Sequence, residues 1–204
     1  LFIFLFCLIG PLWLTACALL PGRQPDVRCP IVNFAKWDLV RDSEALHPSF
    51  APPGRESLHG LSSEADEAAY LAALEKWREL AAGLEKAGPR AQAEAVNVFF
   101  NAWEYTSDKK AWGQEEYWAT PREFMARSGD CEDYAIAKYY ALRSLGFAPE
   151  KLRLAGAWNR RRGEAHAVLL VYVNGQSEAP CSWTTIPTSC GAWKSCPTIR
   201  CSIT

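Results

Sequence analysis

The apolar residues of this chain change period once, and that change restricts the fold more than any other feature. From residue 62 to about 145 they recur every three to four positions, and from Leu152 to Val173 they alternate. The first spacing lays an apolar stripe along a helix, and the second lays an apolar face on a strand. A chain that is helical first and then extended predicts an α+β domain, with helices packed on a small antiparallel sheet.

Local signals divide the helical part. Residues 62–87 predict a helix with Leu71, Leu74, Trp77, Leu80 and Leu84 on one face and acids near its start. Gly88-Pro89 ends it, and a second helix follows with Ala95, Phe99 and Trp103 inward. Thr120-Pro121-Arg122-Glu123 is a helix start: Thr120 can cap, Pro121 suits the first position and Glu123 completes a capping box. That helix ends near Ser128-Gly129, and the next begins at once with Asp130 as its cap. Ala135, Tyr139, Leu142 and Leu145 form its apolar face and Gly146 ends it.

Strands are expected over 152–158 and 165–173, with His166, Val168, Leu170 and Tyr172 on one face. Asn174-Gly175 then signals a two-residue hairpin. Such a loop pairs Val173 with Gln176 and sets His166 opposite position 183. The pattern collapses after Gln176. Residues 177–204 are rich in Cys, Ser, Thr, Pro and Trp, follow neither period and contain no Asp.

The flanking segments differ. Residues 1–20 carry no charge and meet Pro21-Gly22, which reads as the apolar region of a secretory signal. An uncleaved anchor is the alternative, and Leu14-Thr15-Ala16-Cys17 also has the form of a bacterial lipidation site at Cys17. Residues 23–60, rich in Pro, Gly and Ser, predict a loose lead-in with one short helix near 34–40. The organisation expected is therefore a signal or anchor segment (1–22), the lead-in (23–60), a catalytic domain (61–176) and an aberrant tail (177–204). Net charge is −1, with no basic stripe, so nucleic-acid binding is not indicated.

Eight cysteines in an exported chain would ordinarily suggest disulfides. Cys7 and Cys17 lie in the leading segment, Cys29 in the lead-in, and Cys181, Cys190, Cys196 and Cys201 crowd the tail. Only Cys131 falls in the well-patterned region, at the first position of the helix that Asp130 caps. The unpaired N–H groups and dipole of a helix start favour a thiolate. Asp130, Glu132 and Asp133 oppose it, so a nearby cation or imidazolium is needed. Of three histidines, His47 and His59 fall in loose segments, and His166 lies on a strand among alanines. Taken singly, Cys131 reads as a buried thiol and His166 as a core histidine. Together, a cysteine at a helix start followed by a histidine on a strand has the order of papain-like and transglutaminase-like thiol enzymes.

Tyr117-Trp118-Ala119-Thr120-Pro121, Gly129-Asp130-Cys131-Glu132-Asp133-Tyr134-Ala135, Leu145-Gly146 and Ala165-His166-Ala167-Val168-Leu169 make the likeness specific. Over residues 90–176 the chain resembles the bacterial transglutaminase-like cysteine proteases, of which the periplasmic LapG-type enzymes are best known. The resemblance implies a papain/transglutaminase-like fold, Cys131 as nucleophile and His166 as general base. It also implies calcium held by acids flanking the cysteine, here Asp130 and Glu132, with Asp133 a further candidate. It implies a periplasmic endopeptidase that cuts the N-terminal region of a surface adhesin to control biofilm release. An inner-membrane cyclic-di-GMP receptor would sequester it.

Members of that family complete a triad with an Asp after the histidine, and none follows here. A frameshift is one account: Trp183 is TGG and Thr184 begins AC, so the shifted frame reads GAC, aspartate, at that point. The other account is a protein that keeps the fold and the calcium site and binds without cutting. Acyl transfer by the same cysteine and histidine is a third reading.

Overall fold

The structure, a computed structural model, describes residues 35–52, 54, 58–159, 164–173 and 181–183. Six helices precede three strands among these residues: α1 (Ala35–Leu46), α2 (Glu64–Leu84), α3 (Pro89–Phe100), α4 (Asp108–Trp112), α5 (Pro121–Arg127), α6 (Cys131–Ser144), β1 (Leu152–Asn159), β2 (Glu164–Val171) and β3 (Cys181–Trp183). The α+β architecture is the one the change of period predicts. The leading segment with Cys17 lies outside the described residues, as do positions 184–204.

α6 is the central helix. Its residues 133–138 are all buried, which a helix achieves only when packed on several sides. α3 and α5 cover part of it, and β1 and β2 another. The core is strongly aromatic: Trp77, Phe99, Phe100, Trp103, Phe124 and Tyr134 pack ring against ring, at centroid separations from 4.5 Å for Phe124–Tyr134 to 6.0 Å for Trp77–Phe100. Edge and tilted contacts of this kind add about 0.5–1.5 kcal/mol each beyond the area they bury.

The expected helix faces are largely the buried ones, Leu74, Trp77, Leu80, Phe99 and Trp103 all joining the core, and they widen to take in further residues. α2 buries Tyr70, Ala73, Leu74 and Trp77, and leaves Leu71 partly exposed. α3 buries Ala93, Val96 and Phe100.

Lys138 of α6 is 1% exposed, and burial pushes its pKa down to about 7. Its Nζ donates to Asn97 Oδ1 at 2.8 Å and to Asn101 Oδ1 at 2.6 Å, and lies over the Tyr134 ring. α3 is thereby tied to the cysteine helix through polar groups that an all-apolar interface would lack.

β1 and β2 are antiparallel, Ala157 facing His166 and Leu152 facing Val171. Leu169 and Val171 turn into the helical core, while Val168 and Leu170 form a small cluster with Ala155 and Tyr172 on the opposite face. His166 has the parity of this second set. β3 corrects the expected register: Leu169 faces Trp183 and Val171 faces Cys181. Position 183 is thus three residues from facing His166, and an odd shift sets it on the other face. The hairpin rule assumes a two-residue loop, whereas the described pairs lie three residues further along than such a loop would set them.

The lead-in is more ordered than its composition predicts. α1 runs to Leu46, and Trp37 packs on Tyr139 and Tyr140 of α6. Behind it, Ser49 donates its N–H and hydroxyl to the buried Glu44 carboxylate. Arg122, 1% exposed, donates to the carbonyls of His47 and His59 at 2.5 Å each, while its own N–H donates to Ser49 Oγ. The His47 and His59 rings stack 4.3 Å apart. A forked guanidinium can bridge two backbone carbonyls where composition offers no apolar stripe to hold them.

Removing that fork leaves buried acceptors without donors, so Arg122→Met is expected to cost about 3 kcal/mol in urea unfolding. Arg122→Lys recovers only part of it. A loss below about 1 kcal/mol for Arg122→Met would mean that the clamp carries no weight.

Candidate active site

Three short segments build the site. The first is the start of α6. Asp130 occupies the cap position in extended conformation, and Cys131 is the first helical residue, as the motif predicts. The bend before it is strained: Ser128 has φ 67°, a region that costs a non-glycine residue about 1–3 kcal/mol. The Ser128 hydroxyl donates to the Glu104 carbonyl, and Gly129 O accepts the Thr106 N–H at 2.9 Å, so the bend is held on both sides.

The second segment is 117–121. Its capping box forms as expected: the Thr120 N–H and hydroxyl donate to Glu123 Oε2 at 2.8 and 2.9 Å. The Ala119 N–H donates to Asp133 Oδ1 at 2.7 Å, and the Asp130 N–H donates to Asp133 Oδ2 at 3.3 Å. Asp133, fully buried, thus joins this segment to the helix start. Gly129 must lack a side chain for the same reason, since a Cβ there would lie 2.6 Å from Asp133 Cβ.

The third segment is β2. β2 packs on α6, and the Ala167 N–H, next to His166, lies near enough to the Cys131 sulfur to favour its thiolate. His166 is half-buried, with its Nε2 shut from solvent. Cys131, half-buried, donates its thiol hydrogen to Glu132 Oε2 at 3.1 Å and is a free cysteine.

Negative charge dominates this corner. Burial first, and Glu132 next, push the Cys131 thiol above its ordinary range, against the Ala167 N–H. Burial, a hydrogen bond with Glu132 and the charges of Glu132, Asp133 and Asp108 push Asp130 up to about 9. Burial also holds Asp133 and Asp108 above the usual carboxylate range. Asp130, Cys131 and Glu132 each offer a ligand atom within 4.8 Å of the others, and so do Asp108, Asp130 and Asp133. Asp108 Oδ1 and Asp130 Oδ1 are buried and accept no hydrogen bond. This set of hard oxygens, crowded and in part unpartnered, fits a hard divalent cation.

Asp108 is the member of this group that the motif search misses. It lies upstream of the signature, at the start of a five-residue helix with no apolar period to announce it. Its one local signal is Ser107-Asp108, a pair suited to a helix start.

A thiol at the start of a buried helix, set against a strand that carries a histidine, defines the papain/transglutaminase-like class of cysteine enzymes. Residues 79–177 match the family model of the bacterial transglutaminase-like cysteine proteinases. Among solved structures the chain is similar to LapG of Legionella pneumophila, with a TM-score of 0.52 and 28% identity over 72% of each chain. EGTA-treated and calcium-bound forms of that protein match at the same score and identity, over 72% of this chain and 70% and 72% of theirs. A search of the curated proteins found no match.

Gly129→Ala drives a methyl group into Asp133, and the expected result is a stability loss of about 1–3 kcal/mol on thermal or urea unfolding. Wild-type stability in that variant would show that the Asp133 junction is not tightly packed.

Proposed function

We propose that the chain is a calcium-dependent cysteine endopeptidase of the periplasm that cuts the N-terminal region of a surface adhesin. The observation that carries the chemistry is the Cys131 thiol at the first position of α6, the helix packed on the strand that carries His166. His166 removes the thiol proton. The Cys131 sulfur attacks a peptide carbonyl, and backbone N–H groups at the start of α6 receive the developing oxyanion. His166 returns the proton to the departing amine, and water then hydrolyses the acyl-enzyme.

Deprotonation at Cys131 is opposed by burial and by Glu132. Asp130 and Glu132 are the residues that would hold calcium, as acids flanking the cysteine. When bound, calcium supplies the positive charge that the acid cluster lacks. The calcium-bound and EGTA-treated forms of the Legionella protein support this reading. The adhesin substrate, control of biofilm release, export by residues 1–22 and sequestration by an inner-membrane cyclic-di-GMP receptor follow from family likeness.

A second reading rests on one observation: residues 177–204 contain no Asp to orient His166. A protein that keeps the calcium site but binds its partner without cutting it would have this sequence.

One assay separates the two readings: cleavage of the purified N-terminal region of a surface adhesin from the same bacterium. Hydrolysis is expected with calcium and not with EGTA, and Cys131→Ala and His166→Ala each lower the rate by at least about a thousand-fold. Cleavage by Cys131→Ala at the wild-type rate would remove Cys131 from the mechanism. Tight calcium-dependent binding of the fragment without hydrolysis would establish the second reading.

A further inference from the structure

The bend that leads into α6 is made by a residue its backbone does not suit. Ser128 has φ 67° and ψ −170°, a region that glycine enters freely and that strains any residue with a Cβ. Hydrogen bonds hold it there. Its N–H donates to the Phe124 carbonyl at 2.7 Å, closing α5. Its hydroxyl donates to the Glu104 carbonyl, and the carbonyl of Gly129 accepts the Thr106 N–H at 2.9 Å. Ser128 is 6% exposed, so water competes little for these bonds.

Glu104 and Thr106 belong to a longer strap. After α3, residues 101–106 run back along α6 toward its start, tied to it at successive points. Asn101 Oδ1 accepts from Lys138 Nζ at 2.6 Å, and the Trp103 carbonyl accepts from the Tyr134 hydroxyl at 2.7 Å. The Glu104 and Thr106 bonds to the bend complete the series. The strap is thus anchored on the body of α6 at one end and, at the other, on the bend just ahead of Cys131. Glycine at position 128 would relieve the strain, yet it would release the strap and leave two adjacent glycines free to move.

We propose that Ser128 is a positioning residue for the Cys131 nucleophile: its hydroxyl fastens the bend to the 101–106 strap and so fixes where the start of α6 presents the thiol. The inference rests on the protease reading above and adds to it a residue that acts through the backbone. A misplacement of about 1 Å is enough to cost about a hundred-fold in rate, so a bend held in a strained conformation has a use at this point in the chain.

The test compares the full-length wild type with Ser128→Ala and Ser128→Gly. In Ser128→Ala the strain stays and the hydroxyl is lost, so the melting temperature is expected to fall by about 3–6 °C. In Ser128→Gly the strain goes with the hydroxyl. That variant is expected to melt within about 3 °C of wild type and above Ser128→Ala, the reverse of the usual order of alanine and glycine. Both variants should cut the adhesin fragment with KM within about twofold of wild type and kcat at least about tenfold lower. Alkylation of Cys131 by iodoacetamide, mapped by mass spectrometry, should slow at least about threefold in both. Ser128→Gly decides, because its stability and its activity are expected to part. Wild-type kcat in Ser128→Gly would overturn the assignment, as would a loss of kcat that only follows the loss of melting temperature. A wild type that leaves the fragment uncut would overturn the protease reading beneath it, and the alkylation rates then decide for or against Ser128.

Discussion

The rest of this structure depends on a single buried carboxylate. Asp133 accepts one N–H from the segment before α5 and another from the cap of α6. The first contact fixes where the 117–121 segment runs, and the second fixes where α6 begins. Cys131 has its place because α6 starts there, and Gly129 has no side chain because Asp133 fills that space. A fully buried acid carries a high desolvation cost, and two backbone donors offset only part of it. The chain accepts that cost at the one point where helix, loop and nucleophile meet.

Electrostatic strain at the site follows from this arrangement. Asp108, Asp130 and Asp133 crowd together, and all three are held above the ordinary carboxylate range, burial being the largest cause. The thiol is pushed the same way, though its place at a helix start would favour the thiolate. Two opposing tendencies therefore act on one sulfur atom. A bound cation would act on both at once, neutralising the acids and lowering the cost of charge on sulfur.

Much of this was legible in the sequence because the relevant signals are local. The change of period marked the helices and strands, Thr120-Pro121-Arg122-Glu123 marked a capped helix, and Asp130 beside Cys131 marked the helix start. What escaped depends on contacts distant in sequence. Asp108 sits in a five-residue helix without a period. Nothing local marks Arg122 as buried, and only the fold brings the carbonyls of His47 and His59 to it. The expected β3 register failed because Asn174-Gly175 signals a two-residue loop, while the described pairs are offset by three residues from it. Position 183, where a shifted reading frame would set an aspartate, therefore does not face His166.

Similarity to LapG of Legionella pneumophila extends over 72% of the chain, and the family match spans residues 79–177. α1, Glu44 and Ser49 lie before that match, yet Ser49 accepts the Arg122 N–H of α5 and Trp37 packs on Tyr139 of α6. The most direct test of the central claim is to treat the protein with a small-residue peptide chloromethyl ketone and map the adduct by mass spectrometry. One adduct is predicted, on Cys131, formed in calcium and lost in EGTA. Labelling of another cysteine, or labelling of Cys131 at the same rate in both conditions, would contradict the account.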